Sequence, residues 1–185
     1  MVGKKIFLTI LCLIFFNGIT YADQQIPPEI YQWVQSSERM NYYFNKEQMG
    51  YLVDSKGKID LTKLEVPTLC TYDQVQIQDV IQKRRWRNQS TQNYNLLVGR
   101  AEYLLFDLTK HTVTVTRHED LDYAWGILDF EENLEPVNLD DLSVSSVEGR
   151  FYRAILDYAA KHQDELIARS KGELSKEDQK RLRKD

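Results

Sequence analysis

The stretch LLVGRAEYLLFDLTKHTVTVTRHE, residues 96–119, carries the strongest structural signal in this chain of 185 residues. Its first half alternates in character with the two-residue period of a β-strand. The alternation assigns Glu102, Leu104, Phe106 and Leu108 to one face and Ala101, Tyr103, Leu105 and Asp107 to the other. Asp107 to His111 is polar and favours a turn, because the Asp side chain can hydrogen-bond the backbone that follows it. Thr112 to Arg117 alternates Thr with Val, so the stretch predicts an antiparallel hairpin.

Further strands are predicted on both sides of this hairpin. They are indicated by β-branched and aromatic residues at Trp33–Ser37, Met40–Asn45, Tyr51–Val53, Ile59–Val66 and Gly126–Phe130. Pro67 is expected to end a strand or to lie at a sheet edge, because proline lacks the N–H that a central strand donates. The residues after it, up to Tyr72, again favour a strand.

A mid-chain helix is predicted from Gln74 to about Arg87. Asp73 and Gln76 have the spacing of a capping box, and apolar residues then recur at helical intervals. Val75 and Ile77 also alternate, which leaves a strand as the other interpretation.

A second helix is predicted from about Val147 to Ala168 because apolar residues recur every three or four positions. This stripe consists of Phe151, Ile155, Tyr158, Ala159, His162 and Leu166. The predicted fold class is therefore α+β: a mostly antiparallel β-sheet, one mid-chain helix, and a C-terminal amphipathic helix packed on one face.

The N-terminus has the three parts of a secretory signal peptide: a short basic region, an apolar run and small residues before a cleavage site between Ala22 and Asp23. An uncleaved anchor is the alternative. The predicted organisation is a signal peptide at 1–22, a single α+β domain at 23–169, and a charged tail at 170–185 that is a frayed helix or disordered. The expected location is outside the cytoplasm: in the periplasm, at the cell surface or secreted.

Charge and cysteine content limit the partners and the chemistry. Losing Lys4 and Lys5 with the signal peptide would take the formal net charge from −4 to −6, which predicts no general attraction to nucleic acid. The mature chain keeps one cysteine, Cys70, so it can form no intramolecular disulfide. This thiol is either buried, as its strand-like neighbours favour, or paired with another chain.

The residues predict no catalytic, metal-binding or cofactor-binding site. His111, His118 and His162 lack the spacing of a zinc site, and the chain has no P-loop, dinucleotide-binding or nucleophile-elbow motif. Cys70 with a histidine could form a nucleophile pair if the fold brought the two side chains together. The acidic residues between Asp129 and Asp141 do not have the spacing of an EF-hand loop.

One electropositive cluster is the candidate site. It consists of Lys83, Arg84, Arg85, Trp86 and Arg87 at the end of the mid-chain helix. We expect an anion or glycan contact, in which arginine forks grip carboxylate or sulfate and Trp86 stacks on a sugar. In the alternative, the cations interact with the helix dipole or with the acidic loop at 131–141, and Trp86 packs in the core.

Two motifs resemble a known family. Trp33 followed by Met40-Asn-Tyr-Tyr-Phe-Asn45 resembles the opening of the surface-adhesin protein E-like domain, and Tyr103-Leu-Leu-Phe-Asp107 before Thr112-Val-Thr-Val115 is similar to its later hairpin. The resemblance implies a small exported bacterial domain with a mainly antiparallel sheet, and some members are surface adhesins. The chain departs from the family at Asn45, where an acid is usual, in lacking the hairpin cysteine, and in the helix around Ile81, which has no counterpart. The family therefore supplies an architecture and no binding residue.

These observations favour a non-catalytic exported protein of the cell envelope that binds a protein or glycan partner. No nucleic acid partner and no membrane-spanning segment after signal cleavage are expected. The alternative is a small secreted or periplasmic hydrolase whose site is assembled from scattered residues. A deep pocket with converging titratable groups would favour the hydrolase, and a flat aromatic patch would favour the binding protein.

Overall fold

A computed structural model describes residues 26–182, and the predicted signal peptide lies outside this range. Within residues 26–182 the chain forms an eight-stranded antiparallel sheet with four α-helices, which confirms the α+β class. The strands are β1 Tyr31–Ser36, β2 Met40–Asn45, β3 Gly50–Val53, β4 Ile59–Tyr72, β5 Leu97–Asp107, β6 Thr112–Asp122, β7 Ile127–Glu132 and β8 Val137–Asn138. The helices are α1 Gln74–Trp86, α2 Val147–Lys161, α3 Gln163–Arg169 and α4 Lys176–Leu182.

The sheet runs in the order β1-β2-β4-β5-β6-β7, with β3 beside β4 and β8 beside β6. The predicted hairpin forms its centre as β5 and β6, joined after the pair Asp107 and Thr112. As expected, the Asp107 carboxylate caps the turn by accepting hydrogen bonds from the Lys110 and Thr109 amides, at 3.0 and 3.1 Å. A bulge at Thr116 shifts the register, and β6 continues beyond the predicted end at Arg117 to Asp122.

The expectation that Pro67 ends a strand or lies at a sheet edge is wrong. Strand β4 runs through it without interruption for 14 residues. Pro67 falls between Glu65, where pairing with β3 stops, and Thr68, where pairing with β2 starts. Its missing N–H therefore coincides with the junction of two partner strands.

Helix α2 buries its apolar stripe on one face of the sheet. Its side chains contact the sheet through aromatic pairs: Phe151 with Tyr42, Tyr158 with Phe44 and Tyr152 with Phe106, with ring centroids 5.0–5.8 Å apart. Of the predicted stripe, Phe151, Ile155, Ala159 and Leu166 are buried, whereas Tyr158 and His162 are half-buried. The helix is also not continuous to Ala168, because α2 ends at Lys161 and α3 starts at Gln163. At this break the His162 ring stacks on the Tyr158 ring at 4.0 Å.

Helix α1 forms where the capping box predicts it, so the strand interpretation of this segment is wrong. The Asp73 side chain accepts a hydrogen bond from the Gln76 amide at 2.7 Å. Ile77 and Ile81 pack with Tyr94 and Leu97 in a small core separate from the main one.

The C-terminal segment contacts the sheet before its last helix. The Glu173 carbonyl accepts a hydrogen bond from the Ile59 amide at 3.0 Å, and its carboxylate pairs with Lys58 at 2.6 Å. Leu174 and Leu182 pack against the main core. Within residues 26–182, no helix is long and apolar enough to cross a membrane.

Candidate functional site

The two faces of the sheet differ in what covers them. The aromatic contacts of α2 are with Tyr42, Phe44 and Phe106, and these define the helix-facing side. Because neighbouring residues along a strand point to opposite faces, Tyr43 points away from α2. Strand register then places one row across the whole sheet on that opposite side: Trp33, Tyr43, Leu69, Ala101, Glu119 and Phe130.

We call this side, with the adjacent pair of Tyr103 and Arg117, the open sheet face. Its aromatic side chains are exposed: 53% of Trp33, 40% of Tyr103 and 51% of Phe130 is accessible to solvent. Leu69, in the same row, is buried at 4%. Exposed aromatic residues that share one face of a sheet make that face a candidate interaction site.

Arg117 contacts both an aromatic ring and two carboxylates on this face. Its guanidinium lies 4.4 Å from the centre of the Phe130 ring and binds Glu119 at 2.5 Å and Glu132 at 2.9 Å. The Glu119 hydrogen bond raises the pKa of Arg117 and outweighs desolvation, so the side chain stays charged. The charge of the buried Glu119 is thereby compensated, which leaves the centre of the face without an unpaired charge.

The helix-facing side carries ionisable groups between the two cores. We call Arg100, Glu102, His118 and Asp120 the polar row; strand register pairs Arg100 with Asp120 and Glu102 with His118. His118 lies between two carboxylates, with Nδ1 3.0 Å from Glu102 and Nε2 3.3 Å from Asp120. Arg100 Nε lies 3.2 Å from Glu102, close enough for an ion pair but without the alignment of a hydrogen bond.

These neighbours fix the charge states of the polar row. Burial alone would lower the pKa of His118, but the hydrogen bonds to Asp120 and Glu102 raise it to about 9. Burial alone would raise the pKa of Glu102 and Asp120, but Arg100 and His118 respectively help to hold each below its usual value. The raised pKa favours the protonated form of His118 at neutral pH, with both ring nitrogens directed at carboxylates.

A nucleophile pair of Cys70 with a histidine finds no support in this geometry. Cys70 is buried, as predicted, and burial raises the pKa of its thiol to about 11. No hydrogen bond joins it to a histidine in the described part of the chain, and the ring nitrogens of His118 face carboxylates. A cleft of about 260 Å³ does exist, but it lies between the β3–β4 turn and α4 and contains neither cysteine nor histidine. Among residues 26–182, no group of three or more Cys, His, Asp or Glu is arranged to hold a metal ion.

The polar row predicts a stability optimum in mildly acidic solution. The raised pKa of His118 contributes stability that is complete below its unfolded value of 6.5 and is lost as pH rises through about 9. The lowered pKa values of Glu102 and Asp120 also contribute stability. This contribution is complete at pH values above the pKa of each group in the unfolded chain, and it is lost as the pH falls further. We therefore expect the free energy of unfolding to peak between about pH 5 and 6.5 and to fall by on the order of 3 kcal/mol by pH 9.

Urea titrations at fixed pH values measure this profile, and His118→Gln provides the comparison. The variant should lose most of the alkaline decline, because glutamine hydrogen-bonds without a charge. An unchanged slope between pH 6.5 and 9 would show that another group titrates there.

The structure separates the five residues of the Lys83–Arg87 cluster. Arg84 is buried and turned inward, where it binds Asp129 at 2.5 Å and lies 4.2 Å from the centre of the Tyr94 ring. Lys83 pairs with Asp79 at 2.8 Å on the helix surface. The remaining members, Arg85, Trp86 and Arg87, are exposed at the end of α1. Trp86 is 77% accessible, so the alternative in which it packs in the core is wrong.

Sequence reasoning did not identify the open sheet face. The alternation within β5 did place Tyr103 opposite Phe106, but it did not say which face the helices cover. Trp33 and Phe130 belong to strands at opposite edges of the sheet, so only the strand order brings them to one surface. Comparison with family models, curated proteins and solved structures finds no match.

Proposed function

We propose that this protein is a non-catalytic, exported protein of the cell envelope that binds a protein partner through its open sheet face. The observation that carries the proposal is the exposure of three aromatic side chains, Trp33, Tyr103 and Phe130, on one face of the sheet. Its composition, aromatic residues with one arginine and no unpaired central charge, is that of the core of a protein–protein interface. The sequence left a protein and a glycan open, and this composition favours the protein.

The charge states on the other side of the sheet support a role without catalysis. His118 and its carboxylate neighbours neutralise one another, and the Cys70 thiol is held protonated by burial. The rival hydrolase would need a free base or an activated nucleophile, and the raised pKa values of His118 and Cys70 disfavour these roles for the two groups.

Export is proposed from the signal-peptide pattern of residues 1–22. The mature protein should then begin at Asp23. Its intact mass, measured after recovery from the exported fraction, tests this, and a species that retains Met1 to Ala22 would favour the anchor.

Site-specific photo-crosslinking tests the binding function. Mature protein carrying benzoylphenylalanine in place of Tyr103 should form a protein adduct in envelope fractions, and unlabelled protein should compete for it. The same probe at Val144, which is 74% exposed but lies in the loop before α2, is the matched control. Equal adducts from both positions, or an adduct with polysaccharide alone, would contradict a protein-binding face.

Affinity for the identified partner completes the test. Trp33→Ser with Tyr103→Ser should weaken binding by about tenfold or more, since aromatic anchors dominate such interfaces. Val75→Ser with Val144→Ser removes exposed apolar surface elsewhere and should leave binding unchanged. Melting curves of both double variants establish that the fold is intact.

A further inference from the structure

The last turn of α1 has an inner and an outer side. At about 100° per residue, Trp86 points about 200° away from Arg84 around the helix, so it lies on the opposite side. Arg85 and Arg87 lie on its two flanks, each about 100° away. The inward direction of Arg84 thus determines that Trp86 faces solvent between two arginines.

Several contacts anchor this turn from below. The Arg84 guanidinium donates to the Ser90 carbonyl at 2.8 Å and to Asp129 at 2.5 Å, and lies 3.6 Å from Asp120. Its outermost nitrogens therefore bind two neighbouring strands, β7 and β6. These contacts of the buried Arg84 side chain hold the backbone to which Trp86 is attached.

The end of the helix is also closed by backbone hydrogen bonds. The Gln89 amide donates to the Arg84 carbonyl at 2.9 Å and the Asn88 amide to the Arg85 carbonyl at 3.1 Å. Asn88 has a φ of 54° and so adopts the left-handed conformation that such a cap requires. The backbone of the turn that presents Arg85, Trp86 and Arg87 is therefore held before any ligand binds, so binding requires little ordering of the backbone.

The three outward side chains are available to a ligand. Within residues 26–182, neither Arg85 nor Arg87 forms an ion pair or a side-chain hydrogen bond, and both are exposed. Trp86 is the most exposed large apolar side chain among those described, at 77%. An aromatic plane with an arginine fork on each side can stack on a sugar ring while the forks bind acidic groups beside it.

We propose that Arg85, Trp86 and Arg87 form a binding site for an acidic polysaccharide, separate from the open sheet face. The class of ligand follows from the chemistry: guanidinium groups bind sulfate or carboxylate in pairs of hydrogen bonds, and the indole binds the apolar side of a sugar. The net negative charge of the chain disfavours long-range attraction of polyanions, so the site depends on these local contacts.

Binding measurements with defined polymers test the proposal. The probes are heparin for sulfate groups, polygalacturonate for carboxylate groups and dextran as a neutral chain, each at low and moderate salt. The parent protein should bind one or both acidic polymers and not dextran. Trp86→Ala and the double change Arg85→Ala with Arg87→Ala should each weaken binding about tenfold, and the double change should also flatten the salt dependence.

The matched control is Lys161→Ala with Lys171→Ala, which removes the same charge from exposed positions at the end of α2 and in the loop after α3. It should leave the affinity within about twofold of the parent, because the proposal requires specific contacts and not net charge. All variants should melt as the parent does, since the changed side chains are exposed.

Three results would overturn the proposal. They are equal losses in the control and the site variants, no binding to either acidic polymer at low salt, and binding to phosphatidylglycerol vesicles in place of the polymers. The last would assign the cluster to a lipid surface. Crosslinking from Tyr103 reports on the open sheet face alone. A negative result for one of the two proposed sites therefore does not count against the other.

Discussion

Ile155→Asp is expected to abolish cooperative folding. Ile155 is fully buried in the middle of α2, in the same core as Phe44, Phe106 and Phe151. The substitution removes packing worth about 2–5 kcal/mol and introduces a carboxylate that has no partner there. Since a domain of this kind is stable by only about 5–15 kcal/mol in total, the two effects together are comparable to the whole free energy of unfolding.

Thermal and urea denaturation followed by circular dichroism measure this effect. Ala160→Asp is the matched control, because it places the same charge on an exposed position of the same helix. It should cost less than about 1 kcal/mol, mainly from the unfavourable charge near the helix C-terminus. Ile155→Val should cost about 0.5–1.5 kcal/mol and keep a sharp transition. If Ile155→Asp unfolds like the parent, α2 does not bury this residue.

The parts of the fold that the sequence predicted are those with local periodicity. The β5–β6 hairpin follows from alternation and one turn with Asp107, and α2 follows from apolar residues at helical spacing. Pro67 was predicted wrongly because its effect depends on which strands lie beside it. A proline in a central strand is tolerated at this position since β3 and β2 meet there, and the strand order is a property of the whole chain.

The binding surfaces were predicted less completely for the same reason. The Lys83–Arg87 cluster looks like a single site in the sequence because its members are consecutive. Which members of the cluster are buried depends on Asp120 and Asp129, which bind Arg84 on the inner side of the helix. Both lie more than 30 residues further along the chain. The alternative that paired the cluster with the loop at 131–141 named a neighbouring segment, yet the ion-pair partners of Arg84 lie on β6 and β7. Local sequence thus identifies the basic turn, but it does not predict which of its side chains point inward and which are exposed.

Arg84→Ala is expected to lower the free energy of unfolding by a few kcal/mol, and Arg85→Ala by almost nothing. Removing one member of a buried ion pair costs about 3–5 kcal/mol, because the other charge stays buried without its partner. The cost here should be near the lower end: the side chain of Asp120 is 10% exposed and keeps Tyr94 and His118 as partners, while that of Asp129 is 43% exposed and can be hydrated. Arg85 has no such contacts, so neighbouring identical residues should differ strongly.

Urea denaturation of the two single variants measures this difference under one set of conditions. Arg84→Lys provides a further comparison, because lysine keeps the charge but cannot bind Ser90, Asp129 and Asp120 with one planar group. It should recover part of the loss and not all of it. Equal stability of Arg84→Ala and Arg85→Ala would mean that Arg84 is not anchored to β6 and β7. Arg84 would then be exposed like the other basic residues of α1. Its contacts would no longer explain why Trp86 faces solvent between two arginines.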